Sequence, residues 1–304
     1  MTERIRGILS PVVTPFRENG GVHLEKFVRQ CRWLQSHGVG LAFLGTNSEA
    51  NSLSPEERME MIEALLDAGV NPAAMMPGTG ACDLPTAVRL SRRAAQAGCA
   101  GVLTLPPFYY KGVSDEGLFR YFSELIENVG EAALRVYLYH IPPVAQVGIG
   151  LDLIERLLDR YPENIAGIKD SSGDWNNTLA LLERFKDRGF SVFPGSEVFL
   201  LQGLRHGAAG CISATANVNP AAINRVFEEW ETAQADDLQK GLDQIRGIFQ
   251  RQPMIPALKT AIAHWSGDEE WSRVRPPLVE LDTRQTTQLI EELEAAGFSM
   301  PGLR

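Results

Sequence analysis

Residues 164–174 read NIAGIKDSSGD, and this stretch decides the fold of the chain. Its apolar part, residues 165–168, predicts a buried strand that ends at Lys169. The polar residues that follow predict a turn, with Asp174 as the cap of the next helix. Because an ammonium group is costly to bury, we expect Lys169 to be paired, exposed or chemically active. The position by itself also fits a lysine that extends its amine to solvent or pairs with Asp170.

The same pattern of strand and helix recurs along the chain to about residue 230. Residues 54–57 (SPEE), for example, combine an N-cap, a proline and a capping-box glutamate, and so predict the start of a helix. Eight strands with intervening helices match a closed (β/α)8 barrel in count and length. In that fold active sites lie at the carboxyl ends of the strands, where Lys169 is expected. The predicted strands are residues 8–13, 41–44, 74–76, 101–105, 135–139, 165–169, 191–193 and 210–213.

Beyond residue 230 the strand pattern stops and helical periodicity continues. One apolar face is formed by Leu238, Leu242, Ile245 and Phe249. Residues 255–264 and 283–296 also have helical patterns. We therefore predict two domains, a catalytic barrel over residues 1–230 and a small helical domain over residues 231–304.

Composition excludes several classes of protein. The net charge of −9 argues against a nucleic-acid partner, which needs a basic face. No apolar run reaches the roughly 18 residues of a membrane span, and residues 1–6 lack the features of a signal peptide. The four cysteines (Cys31, Cys82, Cys99 and Cys211) have no paired spacing, so neither a disulfide framework nor a zinc site is indicated. We expect a cytoplasmic enzyme without metal.

Polar groups follow several of the predicted strands. Residues 45–49 (GTNSE) could expose backbone N–H groups as an anion-binding nest, or could simply begin the next helix. Tyr139 ends the fifth strand and could relay protons, or could be a core tyrosine with a satisfied hydroxyl. For His140 we favour a hydrogen-bonded structural role. For the aromatic cluster at residues 108–110 we favour packing.

Taken together, five motifs resemble the dihydrodipicolinate synthase and N-acetylneuraminate lyase family of Schiff-base aldolases over nearly the whole chain. Their common order and spacing make the resemblance specific, although each motif alone is weak. The matching segments are residues 45–49 (GTNSE; Gly-Thr-Thr-Gly-Glu in the family), 108–118 (FYY…EGL; Pro-Tyr-Tyr…Glu-Gly-Leu), 139–142 (YHIP; Tyr-Asn-Val/Ile-Pro), 167–170 (GIKD; Gly-Ile-Lys-Glu/Asp) and 212–218 (ISATANV; Ile-Ser-x-Thr-Ala-Asn-Val).

The resemblance implies a barrel enzyme that needs no cofactor. Lys169 would form an imine with the keto carbon of pyruvate or a longer 2-oxo acid. Tyr139 would relay protons at that carbon, assisted by Thr46. Tyr110 would complete the relay from a neighbouring subunit, which implies a homotetramer built as a dimer of dimers.

The resemblance also implies binding residues for two small molecules, a 2-oxo acid and an aldehyde. Backbone N–H groups of Thr46 and Asn47 would hold the substrate carboxylate. Gly195 and Ile212 would line the pocket through their backbones. A further set, Ser196, Glu197 and Ser213, could meet hydroxyl groups of the aldehyde, although Ser196 and Glu197 could equally have capping or surface roles.

Two departures from the family pattern concern the substrate. Val144 stands where the synthase proper has an arginine that holds the carboxylate of aspartate semialdehyde, and in the carboxylate loop Asn47 replaces a threonine and Ser48 a glycine. A valine cannot make that contact. We therefore favour an aldolase or lyase of a 2-oxo acid, such as a 2-keto-3-deoxy sugar acid. The alternatives are the synthase with a substituted carboxylate clamp, a hydratase-aldolase or dehydratase, and a non-catalytic 2-oxo-acid sensor.

Overall fold

The computed structural model describes residues 4–303, which contain seven strands and twelve α-helices. The strands are β1 (Gly7–Ser10), β2 (Gly40–Leu41), β3 (Val102–Thr104), β4 (Val136–His140), β5 (Ile165–Asp170), β6 (Ser191–Pro194) and β7 (Gly210–Ile212). The helices are α1 (Leu24–Ser36), α2 (Pro55–Asp67), α3 (Leu84–Gln96), α4 (Asp115–Val129), α5 (Pro142–Ala145), α6 (Leu151–Arg160), α7 (Trp175–Phe185), α8 (Leu200–Arg205), α9 (Pro220–Glu229), α10 (Ala235–Gln250), α11 (Met254–Ser266) and α12 (Thr283–Ala295).

The strands are parallel and form two hydrogen-bonded sets, in the orders β2-β1-β7 and β3-β4-β5-β6. Two connections close the sets into one barrel. Residues 75–79 join β2 to β3 through the parallel bridges Leu41–Met75 and Gly78–Leu103. On the other side, the Ala209 amide donates to the Val192 carbonyl of β6 at 2.9 Å, directly before β7. The barrel expected from the sequence is confirmed.

The third predicted strand, residues 74–76, is not a regular strand in the structure and takes part only in these bridges. Pro77 follows it and has no N–H to donate to a ladder. The backbone then passes so close to the segment after β2 that a Cβ on Gly78 would lie 2.0 Å from the Leu44 carbonyl oxygen. The Pro77 carbonyl still bonds to the next strand, because it accepts from the Leu103 amide of β3 at 2.9 Å. The segment therefore fills the place of a strand without the continuous ladder that defines one.

Two apolar layers hold the barrel together. The interior contains a cluster of inward-facing side chains that includes Leu9, Tyr137, Phe193 and Ile212. The larger layer lies between the strands and the surrounding helices, where apolar faces of the helices pack. Parallel strands covered on both faces explain why the strand runs are almost wholly apolar.

After β7 the described chain contains no further strand, and its α-helices are α9, α10, α11 and α12. The C-terminal helices contact the strand ends. In α10, Gln239 Nε2 donates to the Glu197 carbonyl at 2.9 Å, just beyond β6. The domain boundary at residue 230 stays a prediction. Within residues 4–303 no helix is long and apolar enough to cross a membrane.

One irregularity in the sheet determines which residues face each other. Val136 of β4 pairs with Ile165 of β5, but the next pair is Tyr137 with Gly167, so the register shifts by one residue. Beyond the shift, Tyr139 pairs with Lys169. Because side chains alternate between faces along a strand, a one-residue shift changes which pairs share a face.

Candidate active site

The carboxyl ends of β4 and β5 bring two of the predicted catalytic side chains together. Tyr139 and Lys169 are both 3% exposed. Lys169 Nζ lies 3.2 Å from the Tyr139 hydroxyl oxygen and 4.4 Å from the centre of its ring. The amine is removed from bulk water and has a phenol within hydrogen-bonding reach. A nucleophile and an acid–base group can therefore act at one substrate carbon.

Thr46 extends this arrangement toward the loop after β2. Its hydroxyl oxygen lies 3.3 Å from the hydroxyl oxygen of Tyr139. The three polar groups thus form a chain of Thr46, Tyr139 and Lys169. Such a chain can pass a proton in either direction along its hydroxyl groups.

The loop at residues 45–49 leaves two of its backbone amides without a partner in the described chain. The Ser48 and Ala50 amides are used inside the loop, where both donate to the Gly45 carbonyl at 3.2 Å. The amides of Thr46 and Asn47 donate to none of residues 4–303, and both residues line the cavity above Lys169. Free N–H groups in a loop that lines a cavity are donors of the kind that an anion can use.

Ser48, one of the two residues that depart from the family loop, is fully buried. Its hydroxyl donates to the Val12 carbonyl, and its own carbonyl accepts from the Thr14 hydroxyl at 2.6 Å. The left-handed backbone angles lie elsewhere, at Leu44 (φ 61°) and Glu49 (φ 55°). Replacement of glycine by Ser48 therefore introduces no left-handed residue into the loop.

The left-handed conformation of Glu49 is held by α11 and by the segment between α11 and α12. Its carboxylate accepts from Lys259 Nζ of α11 at 2.8 Å and from the Arg275 amide at 2.8 Å. The side chains of Glu49 and Lys259 are both 0% exposed. Burial lowers the pKa of Lys259, and the Glu49 carboxylate opposes that shift. Strained backbone persists only where its surroundings hold it, and here a buried ion pair does so.

Lys259→Met is expected to lower the free energy of unfolding by about 3–5 kcal/mol, because it leaves the Glu49 carboxylate buried without its partner. Urea titration followed by circular dichroism measures the loss. The matched control is the double variant Glu49→Gln/Lys259→Met, which removes both charges and is expected to lose less. Equal losses in the single and double variants would contradict the buried-charge explanation.

Asp170 and His140, which end β5 and β4, have structural partners. The Asp170 carboxylate accepts from the Thr178 hydroxyl at 2.6 Å and from the Ser172 amide at 3.0 Å, so it is directed away from Lys169. His140 Nδ1 accepts from the Ile149 amide at 3.0 Å. Burial lowers the pKa of His140, an effect that the Asp170 carboxylate partly offsets. The predicted hydrogen-bonded role of His140 is confirmed, and the alternative of a Lys169–Asp170 pair is wrong.

Gly195 brings the end of β6 close to the end of β5. Its amide donates to the Asp170 carbonyl at 2.7 Å, and a Cβ at this position would lie 2.1 Å from Ser171 Oγ. Only glycine permits this approach. Ser196 follows, and its hydroxyl accepts from the Val198 amide at 3.4 Å as a cap.

A cavity of about 660 Å³ opens above Lys169. Its volume lies in the range of small-molecule sites. Seven of the predicted site residues line it, namely Lys169, Tyr139, Thr46, Asn47, Val144, Gly195 and Ser196.

Four predicted site residues do not line this cavity. Ile212 is fully buried in the barrel interior. Glu197 and Ser213 lie beneath the wall, 1% and 0% exposed, and the Ser213 hydroxyl donates to the Glu197 carboxylate. Tyr110 is 71% exposed and packs edge-on against Tyr109, with ring centres 5.3 Å apart. Within one chain, Tyr110 is therefore separate from the group around Lys169.

Arg246 of α10 lines the cavity and was missed by the sequence reasoning. Its side chain is 11% exposed, and Nη1 donates to Glu197 Oε2 at 3.2 Å and to Ser213 Oγ at 3.3 Å. On an amphipathic helix it has the pattern of an ordinary surface arginine. The only sequence signal was its place between Ile245 and Ile248, next to the apolar face of α10.

The chain is similar to known proteins over nearly its whole length. Residues 4–296 match the model of the dihydrodipicolinate synthetase family. An uncharacterized DapA-like lyase of Chloroflexus aurantiacus is 33% identical over 289 residues, which cover 93% of this chain and 94% of the relative. The 4-hydroxy-tetrahydrodipicolinate synthase of Thermus thermophilus is 36% identical over 284 residues, 90% of each chain. A prophage protein of the dihydrodipicolinic acid synthase family from E. coli K12, solved in complex with pyruvate, superposes with a TM-score of 0.85 at 28% identity, over 96% of this chain and 99% of its own.

Proposed function

Because the chain belongs to the dihydrodipicolinate synthetase family, whose members are lyases, we propose that it makes or breaks a C–C bond between a 2-oxo acid and an aldehyde through an imine on Lys169. The observation that carries this proposal is the contact of 3.2 Å between the buried Lys169 amine and the Tyr139 hydroxyl. Pyruvate is the simplest 2-oxo acid that fits, and the related E. coli protein was solved with it.

The proposed reaction needs only this chain's own groups. Lys169 Nζ adds to the keto carbon, and loss of water gives the imine. Loss of a proton from the adjacent carbon gives an enamine, whose electron pair forms the new C–C bond to the aldehyde carbon while the aldehyde oxygen takes up a proton. Hydrolysis then frees the product and the lysine. Tyr139 relays the protons at the imine carbon, with Thr46 as the next hydroxyl.

Substrate binding follows from the free donors around Lys169. The amides of Thr46 and Asn47 bind the 2-oxo-acid carboxylate, which places its keto carbon over the amine. Gly195 narrows the site through its backbone. Ile212 supports the same region from the barrel interior rather than from the cavity wall.

Tyr110 supplies the third hydroxyl of the relay in this proposal, from a neighbouring subunit of a homotetramer. The support is its position: it lies exposed beside Tyr109 on a loop, outside the cavity of its own chain. An exposed pair of aromatic rings is typical of a contact between subunits. We also place the protein in a reducing cytoplasm, with which its free cysteines agree.

For the aldehyde we propose a partner without the aspartate semialdehyde carboxylate, so that the substrate is a 2-keto-3-deoxy sugar acid. Val144 supports this, since it lines the cavity, 62% exposed, where the synthase proper would have its arginine. The alternative is 4-hydroxy-tetrahydrodipicolinate synthase activity with another carboxylate clamp, which the Thermus relative supports.

Borohydride trapping with pyruvate, followed by peptide mass spectrometry, tests the proposed chemistry. A reduced adduct on Lys169 is the expected result. If pyruvate and a panel of longer 2-oxo acids all leave Lys169 unmodified, the lyase proposal fails. A protein that binds these acids without forming an adduct would be a sensor.

Val144→Arg is expected to raise kcat/KM for aspartate semialdehyde by roughly 10-fold or more, because a new charge-assisted hydrogen bond is worth about 1.5–3 kcal/mol. Coupled turnover with pyruvate measures the change. Val144→Met is the control, since it adds length without charge. If the wild-type protein already condenses aspartate semialdehyde efficiently and Val144→Arg adds nothing, the synthase alternative replaces the sugar-acid proposal.

A further inference from the structure

We propose that Arg246 determines the specificity of this site by hydrogen-bonding hydroxyl groups on an uncharged aldehyde. This inference rests on the proposed function and assigns the recognition of the second substrate to α10. It also changes the role expected for Glu197 and Ser213. They hold Arg246 from beneath the cavity wall, and Arg246 contacts the substrate.

The guanidinium of Arg246 is anchored at one nitrogen. Nη1 donates to Glu197 Oε2 and Ser213 Oγ, at 3.2 Å and 3.3 Å. These two acceptors follow β6 and β7, so the guanidinium is fixed over the strand ends. Its Nε is buried and has no hydrogen-bond partner within residues 4–303, nor do those residues accept from Nη2. Nε is too deeply buried for a ligand to reach, so Nη2, on a residue that lines the cavity, is the donor left for a ligand oxygen.

The charge around Arg246 favours a neutral ligand. Glu197 is 1% exposed and accepts from the hydroxyls of Ser213 and Thr215 in addition to Arg246. The arginine charge is therefore already balanced by a buried carboxylate. A second carboxylate would meet Glu197 as well as Arg246, whereas a hydroxyl oxygen would meet the free N–H groups of Nη2 without that repulsion.

The cavity wall contains a second polar side chain on α10 as well as apolar residues. Gln250 stands one helical turn after Arg246 and lines the same cavity, so α10 presents an amide beside the guanidinium. The cavity wall also carries apolar residues, among them Val144, Met254 and Ile255. A chain of carbons bearing hydroxyl groups on one side matches a wall of this composition.

The test compares condensation of pyruvate with glyceraldehyde, propanal and succinic semialdehyde, three probes that differ in hydroxyl groups and charge. The variants are Arg246→Lys, which keeps the charge but loses the planar donors, and Arg246→Met/Glu197→Gln, which removes both charges and avoids a stranded carboxylate. Arg251→Met is the control, because Arg251 lies just beyond α10 and pairs with Glu292 at 2.5 Å on the surface.

Wild-type protein is expected to prefer glyceraldehyde to both other aldehydes. In both Arg246 variants the ratio of kcat/KM for glyceraldehyde to that for propanal is expected to fall roughly 10-fold or more, the effect of losing a hydrogen bond to a charged donor. The Arg251 control should keep the wild-type ratio. Borohydride trapping of pyruvate is measured in every variant, to show that Lys169 still reacts.

Three outcomes would overturn the inference. An unchanged ratio, with trapping intact, removes Arg246 from recognition of the aldehyde. A wild-type preference for succinic semialdehyde that the Arg246 variants lose makes the site a carboxylate subsite and excludes the uncharged class. Absence of trapping in the wild-type protein is a separate result, because it overturns the proposed function on which the inference rests.

Discussion

Lys169→Met is expected to abolish borohydride trapping and to lower kcat by at least about 10⁴-fold, the scale of loss when a covalent nucleophile is removed. The methionine side chain is nearly as long as that of lysine and carries no amine, so the packing around β5 is retained. Intact-mass measurement after incubation with pyruvate and borohydride detects the adduct. Wild-type protein should gain one reduced pyruvate unit and the variant none.

A second substitution separates nucleophilicity from charge. Lys169→Arg keeps a cation beside Tyr139 but cannot form a stable imine at working pH, because a guanidinium stays protonated. Lys169→Arg should therefore lose as much of kcat and of borohydride trapping as Lys169→Met. If either variant is trapped at the wild-type level, another amine carries the chemistry and the assignment of Lys169 is wrong.

Tyr139→Phe is expected to lower turnover by about 10²–10⁴-fold, the usual contribution of a positioned acid–base group. The substitution removes the hydroxyl that lies 3.2 Å from Lys169 Nζ and 3.3 Å from Thr46 Oγ1. Imine formation should persist at a lower rate. The informative measurement is exchange of the pyruvate methyl protons for deuterium, followed by NMR, because it reports proton transfer at the imine without any aldehyde.

Tyr137→Phe is the matched control for this experiment. Tyr137 lies two residues earlier on β4, is fully buried, and its hydroxyl has no hydrogen-bond partner within the described chain. Removing that hydroxyl should leave exchange close to the wild-type rate. Similar exchange rates in the two variants would show that loss of the Tyr139 hydroxyl acts through packing rather than through proton transfer.

Features that depend on near neighbours in the chain were predictable from the sequence. Alternation of apolar runs with helical patterns predicted the barrel, because parallel strands covered on both faces must be apolar throughout. Residues 54–57 predicted the start of α2, and the capping box is present there, with the Glu57 amide donating to Ser54 Oγ at 3.1 Å. Asp174 caps α7 as expected, accepting from the Asn176 amide at 2.9 Å. These bonds join residues two or three positions apart, so local sequence specifies them.

The position of Lys169 at a strand end was predictable in the same way, but its partner was not. Tyr139 faces Lys169 because the register between β4 and β5 shifts after Val136, and no pattern in either strand marks that shift. Strand register is fixed by packing of the whole sheet. The resemblance to a known family supplied the pairing of Lys169 with Tyr139, which residue patterns alone left open.

What the sequence determined by itself was the fold, the position of Lys169 near the end of its strand and the types of residue that follow the strands. Only the tertiary structure decided which distant groups meet at the site. Arg246 reaches Glu197 across 49 positions of the chain, and Lys259 reaches Glu49 across 210. Both cations lie on helices whose periodicity also fits an ordinary solvent-facing charge. Whether such a charge is solvated or buried against a partner depends on how remote elements pack, and this information is absent from any local stretch of sequence.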